Sequence, residues 1–437
     1  MNQQKSYRSS FILVTVLFFL WGFITVLVDS LIPRLRELFT LSYFQAGMVQ
    51  FAFFGAYFLL SLPASYILSK IGYKRGIILG LFTMALGCLL FYPAASYRYF
   101  EIFMLAYFIL AGGMTILQVA ANPYVAVLGS EDGASSRLNL SQAFNSLGTA
   151  IAPAIGALFI LSDKIKTEEE IASLTTVAKE SYLANEASAV QMPFLGLALF
   201  TLLIAGFFFF TKLPKLMNEA STGTYVEALK EKNLVLGVIG IFFYVGAEVA
   251  IGSYLVNYFL DMNLVEVIKE NSFMKSIAEG ILNSNLTDND HKAVVGVFVT
   301  FYWSGAMIGR FIGSYLTRIM KPGKVLGIFA TIAILLIFIS ISTTGLLSMW
   351  SILAVGLFNS IMFPTIFTLA IEGIGPLKPK GSGLLCMAIV GGAIIPPLYG
   401  FFTDSIGFKY ALFIIAFCYA YILWYGYRNS KKTIKLE

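Results

Sequence analysis

Charge is scarce in this chain. Only 12% of its 437 residues are Asp, Glu, Lys or Arg, while 58% are hydrophobic. A soluble domain carries about a quarter charged residues, so this one cannot clothe its apolar surface with water-facing groups and must use lipid. Histidine is nearly missing. The single one, His291, sits in a polar connection, so chemistry built on histidine has no support. Cysteine is scarce as well: Cys88, Cys386 and Cys418 each lie inside an apolar run. An odd number of such thiols offers neither a disulfide framework nor a metal spacing. A membrane enzyme would need a nucleophile–base pair or a metal constellation, and a receptor would need an output domain larger than these short loops. The net charge of +6 falls in short basic runs between apolar segments. That is a positive-inside pattern rather than a nucleic-acid surface.

What the chain has in quantity is apolar length. Runs of roughly 20 residues, enough to cross a bilayer, recur from end to end. The first, Phe11–Leu31, is too long for a signal-peptide core and lacks a small-residue cleavage site, so it reads as a retained span. Spans two to six follow at about 43–69, 76–95, 99–127, 138–161 and 192–210. Spans seven to twelve lie at about 233–260, 293–318, 324–344, 346–374, 381–403 and 410–427. Residues 162–191 read as a separate amphipathic surface helix, with Glu168-Glu169-Glu170 and apolar Ile171, Leu174, Ala178 and Leu183. The polar stretch 212–232 is the best domain boundary. It divides an amino-terminal six-helix bundle (1–211) from a carboxy-terminal one (233–437). Most basic residues fall on one side if both termini are cytoplasmic, which predicts an integral plasma-membrane protein, of the inner membrane in a bacterium.

The two halves repeat. Gln118 lies five residues before Pro123 in span four, and Asn359 lies five before Pro364 in span ten. Gly148-x4-Pro153-x2-Gly156 corresponds to Gly392-x4-Pro397-x2-Gly400, and Trp21-Gly22 to Val245-Gly246. Three ordered pairs argue for two parallel six-helix halves. Transporters built from such repeats hold substrate near mid-membrane between them.

Here the residues resemble the major facilitator superfamily. That superfamily favours Gly-x3-Asp-(Arg/Lys)-x-Gly-x-(Arg/Lys)-(Arg/Lys) after span two. This chain has Ser65-x3-Ser69-Lys70-Ile71-Gly72-Tyr73-Lys74-Arg75, with serines in place of the Gly and Asp. FFLWGFITVLVDSLIPRL, AANPYVAVLG, RLNLSQAFNSLG and YVGAEVAIGSYLVNY resemble the fucose and glucose/galactose:cation symporters of that superfamily. The resemblance implies an all-α integral membrane protein with twelve transmembrane helices in two pseudo-symmetric bundles. It also implies uptake of a hexose or deoxyhexose with a cation, by a functional monomer.

Two acids stand inside spans. A carboxylate in the hydrocarbon core costs roughly 3 kcal/mol on insertion scales, which protonation, a cation or a basic partner relieves. Asp29 lies near the outer end of span one; its alternative role is an interfacial acid that reaches water. The resemblance implies a coupling and sugar-site role for it. Glu248 lies well inside span seven with no Lys or Arg near it in sequence; its alternative role is a structural acid hydrogen-bonded between helices. The fucose-type branch carries Glu where this chain has Gln118, and Gln where it has Glu248. A carboxamide does not titrate, so the coupling ion, H+ or Na+, belongs at Asp29 or Glu248. No other cofactor is implied.

The amides are the second set. Gln118 and Asn122 share one helix face, as do Gln142 and Asn145. Pro123 removes a backbone donor and frees a carbonyl, a defect tolerated beside a wet cavity. Such amides either tie helices together, at about 0.6 kcal/mol each, or present donors and acceptors to sugar hydroxyls. With Asn257 and Asn359 from the other half, a sugar site is favoured. Trp303, Tyr302, Phe363 and Phe54 are candidates for its stacking face, each with core or lipid-facing packing as the alternative. Lys74, Arg75, Arg137, Arg318 and Lys321, with Glu131 and Asp132, lie on inner loops. They set topology, and as a gate they would pair charges or cap helix ends. A drug or metabolite efflux antiporter shares the fold and is the alternative; it would carry a more apolar cavity with fewer amides.

Overall fold

Every long apolar run becomes a helix. In hydrocarbon a backbone must satisfy its own hydrogen bonds, and a helix does so within one segment. The computed structural model describes residues 2–38, 43–159, 173–214, 216, 223–286 and 290–431, without the side chains of 2–6, 29–38, 43–47, 154–159, 183 and 186–190. The first half contains α1 (Asn2–Leu38), α2 (Tyr43–Ile71), α3 (Tyr73–Tyr97), α4 (Phe100–Val127), α5 (Ala134–Phe159) and α6 (Thr176–Phe210). A short α7 (Tyr225–Lys230) leads into α8 (Lys232–Asp261), and two short helices follow, α9 (Leu264–Glu270) and α10 (Ser272–Leu282). Then come α11 (His291–Ile319), α12 (Pro322–Ser342), α13 (Gly345–Asn359), α14 (Met362–Ile371), α15 (Lys378–Met387), α16 (Gly391–Ile406) and α17 (Phe408–Ser430).

These make twelve passes. Among the described residues, eleven are long and apolar enough to cross a membrane. The twelfth is α5, which opens on a polar run carrying Arg137, Asn139, Gln142 and Asn145.

Three expectations change. Residues 176–191 do not form a separate surface helix. They are the first turns of α6, which runs without a break from a Thr175 cap that accepts from Ala178 N; the acidic run at 168–170 falls outside the described residues. Span ten is two helices, α13 and α14, meeting at Ser360-Ile361. Pro364 explains that break, because its ring displaces the carbonyl of the residue four before it and it has no N–H to offer. Span eleven is likewise interrupted by a 3-10 turn, Ala388–Val390, ahead of Pro396 and Pro397.

The chain condenses into two compact units. One holds residues 1–130, 144–231 and 373–387, and the other 131–143, 232–372 and 388–437. In the first unit α3 packs on α4 and α6, and α15 packs on α2 and α4. A Cβ on Gly80 would lie 2.7 Å from Leu117 N, so only glycine lets α3 and α4 approach this closely. The α1–α5 contact is of the same kind: a side chain at Gly22 would strike the Asn145 carbonyl, and one at Gly148 the Phe19 carbonyl. The second unit repeats the device between α8 and α16, where Gly246 faces Gly391 O and Gly391 faces Phe242 O. The seam therefore uses Gly391, one residue before the Gly392 that the sequence alignment of the halves picks out.

The stretch between the halves is tied down at α7. Thr224 and Glu227 form a capping box. The Tyr225 hydroxyl donates to Leu62 O at 2.5 Å and shares a bond with Ser65 Oγ at 2.6 Å. Burial pushes the Tyr225 phenol upward, which keeps it protonated as a donor.

Candidate functional site

Proline defects organise the polar residues of both units. On α4, Pro123 leaves the carbonyl of Val119 without an intrahelical donor. Ser382 Oγ of α15 donates to that oxygen at 2.8 Å. Beside it Gln118 and Asn122 are buried, and Gln118 Oε1 has no hydrogen-bond partner among the described residues. Asn145 donates from Nδ2 to Phe18 O at 2.9 Å and so ties α5 to α1. Asp29 lies on α1, but its side chain is outside the described residues.

In the second unit Pro364 does to Ser360 what Pro123 does to Val119. Here the freed carbonyl accepts from Arg310 Nε at 3.2 Å. The same guanidinium reaches the Gln142 carbonyl at 3.5 Å and stands 3.9 Å from Glu248 Oε1. Tyr244, one turn before Glu248 on α8, donates its hydroxyl to that carboxylate oxygen at 2.6 Å. Glu248 and Arg310 side chains are each 15% exposed, so the pair is shielded but not sealed. Next to them Asn359 is fully buried, donating to Tyr302 at 2.6 Å and to Tyr419 at 3.2 Å, while its Oδ1 has no hydrogen-bond partner among the described residues.

The structure thus gathers Glu248, Tyr302, Asn359 and Phe363 into one neighbourhood, with Gln142 joining through its backbone. The Phe363 ring lies 6.4 Å from that of Tyr244. Trp303 stacks edge-on against Tyr302 at 5.1 Å, covers Gly252 and leaves 48% of its surface exposed. Asn257 is exposed about two and a half turns further along α8 and is not part of the cluster. Phe54 is buried in the first unit against Phe53.

Arg310 escaped the reading of the sequence, and it is the centre of this cluster. Glu248 has no basic neighbour along the chain; the fold supplies one from α11. A usable signal was present: an arginine in the middle of an apolar span is costly enough to demand a buried anion or freed carbonyls. Tyr244 was legible too, since it shares a helix face with Glu248 at a spacing of four. Ser382 and Tyr419 carried no local signal, because their partners are remote in sequence.

The loop cations do separate things. Lys74 Nζ donates to Phe209 O at 2.8 Å, capping the end of α6, and Lys321 Nζ reaches Ser430 O at 3.5 Å at the end of α17. Arg75 and Arg318 are exposed, Arg137 is half-buried, and Glu131 and Asp132 form an exposed 3-10 turn. No group of three His, Cys, Asp or Glu side chains gathers among the described residues.

This arrangement supports reversible charge chemistry rather than bond making. A carboxylate with an internal counter-cation can lose its proton without leaving an unpaired negative charge in the fold. Buried amides with unused oxygens offer hydrogen bonds to a polar solute.

Comparison with known proteins places the chain. A glucose/galactose transporter of Brucella abortus biovar 1 (strain 9-941) is 47% identical over 433 residues, covering 98% of this chain and 96% of that protein. The L-fucose-proton symporter of Escherichia coli (strain K12) is 35% identical over 443 residues, covering 99% and 96%. The crystal structure of FucP, a major facilitator transporter in the outward conformation, superposes with a TM-score of 0.86 at 34% identity, covering 98% of this chain and 100% of that one. Residues 9–388 match the model of the Major Facilitator Superfamily. With its twelve helical passes and two-fold internal repeat, the chain belongs to the major facilitator superfamily.

Proposed function

We propose that this chain is a secondary active sugar transporter that imports a hexose or deoxyhexose, of the glucose, galactose, mannose or fucose type, together with a cation by alternating access. The observation that carries this is identity of 47% along 98% of the chain with a protein named a glucose/galactose transporter. A second relative is named an L-fucose-proton symporter. Those names leave efflux antiport unfavoured, and the many buried amides agree. The protein is a transporter, not an enzyme.

In this reading Gln118, Asn122, Gln142, Asn145 and Asn359 serve the sugar's hydroxyls, with Asn257 at the periphery. Tyr302, Trp303 and Phe363 offer the apolar faces on which a sugar ring stacks. Asp29 and Glu248 carry the coupling ion, H+ or Na+. Lys74, Arg75, Arg137 and Arg318 lie at the cytoplasmic ends, where a cation on a helix carbonyl end or an acidic turn holds the inner gate. The protein works as a monomer in the plasma membrane, the inner membrane in a bacterium, with both termini in the cytoplasm.

Purified protein in proteoliposomes tests this with labelled glucose, galactose and L-fucose under separate proton and sodium gradients. At least one sugar is expected to accumulate when one gradient is imposed. Failure of both gradients to drive any of the three overturns the reading.

A further inference from the structure

The connection between the spans α8 and α11 lies on the membrane side opposite α7, because α8 crosses once between them. It carries two short helices. α9 packs against α11 and α13, and α10 packs against α9 and α11, so the pair sits on the rim of the second unit. The placement of α10 is fixed by hydrogen bonds at both ends. Asn271 Oδ1 accepts from Met274 N at 3.0 Å, and Glu279 Oε1 accepts from Leu286 N at 3.4 Å. Met274 and Ala278, four residues apart, are buried and form the face that α10 turns to the protein.

Beside that buried face runs a second apolar stripe. Phe273, Ile277 and Ile281 follow one another at a spacing of four, which stacks them on one side of the helix. Phe273 is 69% exposed, Ile281 50%, and Ile277 is half-buried. Single exposed apolar side chains need no explanation, but three in register on an eleven-residue helix do. The rest of the surface of α10 carries Ser272, Lys275, Ser276, Glu279 and Gly280. Lys275 Nζ stands 3.8 Å from Glu279 Oε1, so the polar side has no net charge. The apolar phase within reach is the bilayer. Ser272 follows Asp261, the last residue of α8, by only eleven positions. At the same rim α13 turns Leu347 outward from its first turn, 59% exposed.

We propose that α10 is an interfacial anchor: it lies along the membrane surface with Phe273, Ile277 and Ile281 inserted among the acyl chains beneath the phospholipid headgroups. The stripe then continues the lipid-facing surface of the neighbouring spans, and α10 holds the rim of the second unit at the level of the headgroups. Helices of this kind bind through apolar area and through attraction to anionic lipid. Here only the apolar area contributes. α10 is neutral, and α9 adds Glu266, Lys269 and Glu270, a net negative charge. Anionic headgroups therefore bring no gain, and the partner is the acyl region of a phospholipid whatever its headgroup charge.

The test uses the full-length protein in liposomes of phosphatidylcholine, with and without added phosphatidylglycerol. Nitroxide labels are attached through Phe273→Cys, Ile277→Cys and Ile281→Cys, and through Ser272→Cys and Ser276→Cys about a third of a turn away. Cys88, Cys386 and Cys418 are buried, and wild type treated with the label supplies the blank. Spin relaxation is measured with oxygen, which concentrates in acyl chains, and with a water-soluble nickel chelate. Oxygen should relax the labels at 273, 277 and 281 several-fold more than those at 272 and 276. Nickel should show the reverse, and both patterns should be the same in the two lipids. Equal access of nickel to both sets would overturn the proposal, because the stripe would then face water. Poor access of both reagents to 273, 277 and 281 would also overturn it, in favour of a protein cover such as a second copy of this chain. Insertion seen only with phosphatidylglycerol would overturn the apolar account. Phe273→Trp gives a second reading without a label. The emission it adds to that of the wild type should be quenched by lipids brominated high in the acyl chain and not by iodide; quenching by iodide alone would overturn the proposal.

Discussion

Val119 and Ser360 occupy matching places in the two halves, each one residue past a buried amide and four before a proline. Both carbonyls lose their intrahelical donor for the same reason, and both are filled from another helix. The fillers differ. Ser382 gives Val119 one neutral hydroxyl bond at 2.8 Å, which uses its single donor. Arg310 gives Ser360 one N–H at 3.2 Å and has four N–H donors left, which extend to Gln142 O and Glu248. One architectural defect, repeated, is closed in one unit by a structural bond and in the other by a charge that serves a second residue. The repeat fixes where the backbone is open; the side chain that closes it decides whether a charge stands there.

Removing the two fillers separates these roles most sharply. Arg310→Ala leaves a shielded carboxylate without its partner and a carbonyl without a donor. The expected loss is about 3 kcal/mol, at the low end for breaking a buried pair because the groups are 3.9 Å apart and partly exposed. Ser382→Ala loses one neutral bond, about 1 kcal/mol. Thermal unfolding in detergent reads both, and equal losses would mean that the Glu248–Arg310 contact carries no weight.

The buried amides give the next contrast. Asn359 donates to two tyrosines, so Asn359→Ala should cost about 2 kcal/mol at roughly 1 kcal/mol per bond. Asn145 makes one bond to the α1 backbone, and Asn145→Ala should cost about 0.6 kcal/mol, the average for an interhelical bond in a membrane. The same unfolding assay checks the ratio; an Asn145 loss as large as that of Asn359 would make the α1–α5 tie the stronger structural element.

The smallest expected effect is on the prolines themselves. Alanine at 364 restores an N–H that competes with Arg310 for the Ser360 carbonyl; alanine at 123 does the same to Ser382. Each should change stability by under about 1 kcal/mol, since one hydrogen bond replaces another. Only Pro364→Ala should move the pH profile of sugar accumulation, because only there does the displaced group face Glu248.

Much of the molecule was open to inspection before folding. Twelve apolar runs, the paired Gly and Pro positions, and the rarity of charge set the fold class, because a bilayer leaves a chain of this composition little besides helices. Gln118, Asn122 and Glu248 stood out for the same reason: a polar group costs free energy in an apolar span wherever it sits. The separate helix expected before span six was not legible as part of α6, since the change from polar to apolar residues, with Pro193 at the junction, looks like a boundary in the sequence although the helix runs through it. The break in span ten was half-written in Pro364, but the use made of it was not.

Sequence alone therefore determined the number of passes, the internal repeat and which residues are expensive to bury, because those properties are local or periodic along the chain. Tertiary structure decided the partners: Arg310 for Glu248, Tyr302 and Tyr419 for Asn359, Ser382 for Val119. Each partner sits on a different helix, tens to hundreds of residues away. Pairing at hydrogen-bond distance depends on how helix faces are rotated and spaced, which close packing sets and spacing along one strand of sequence does not.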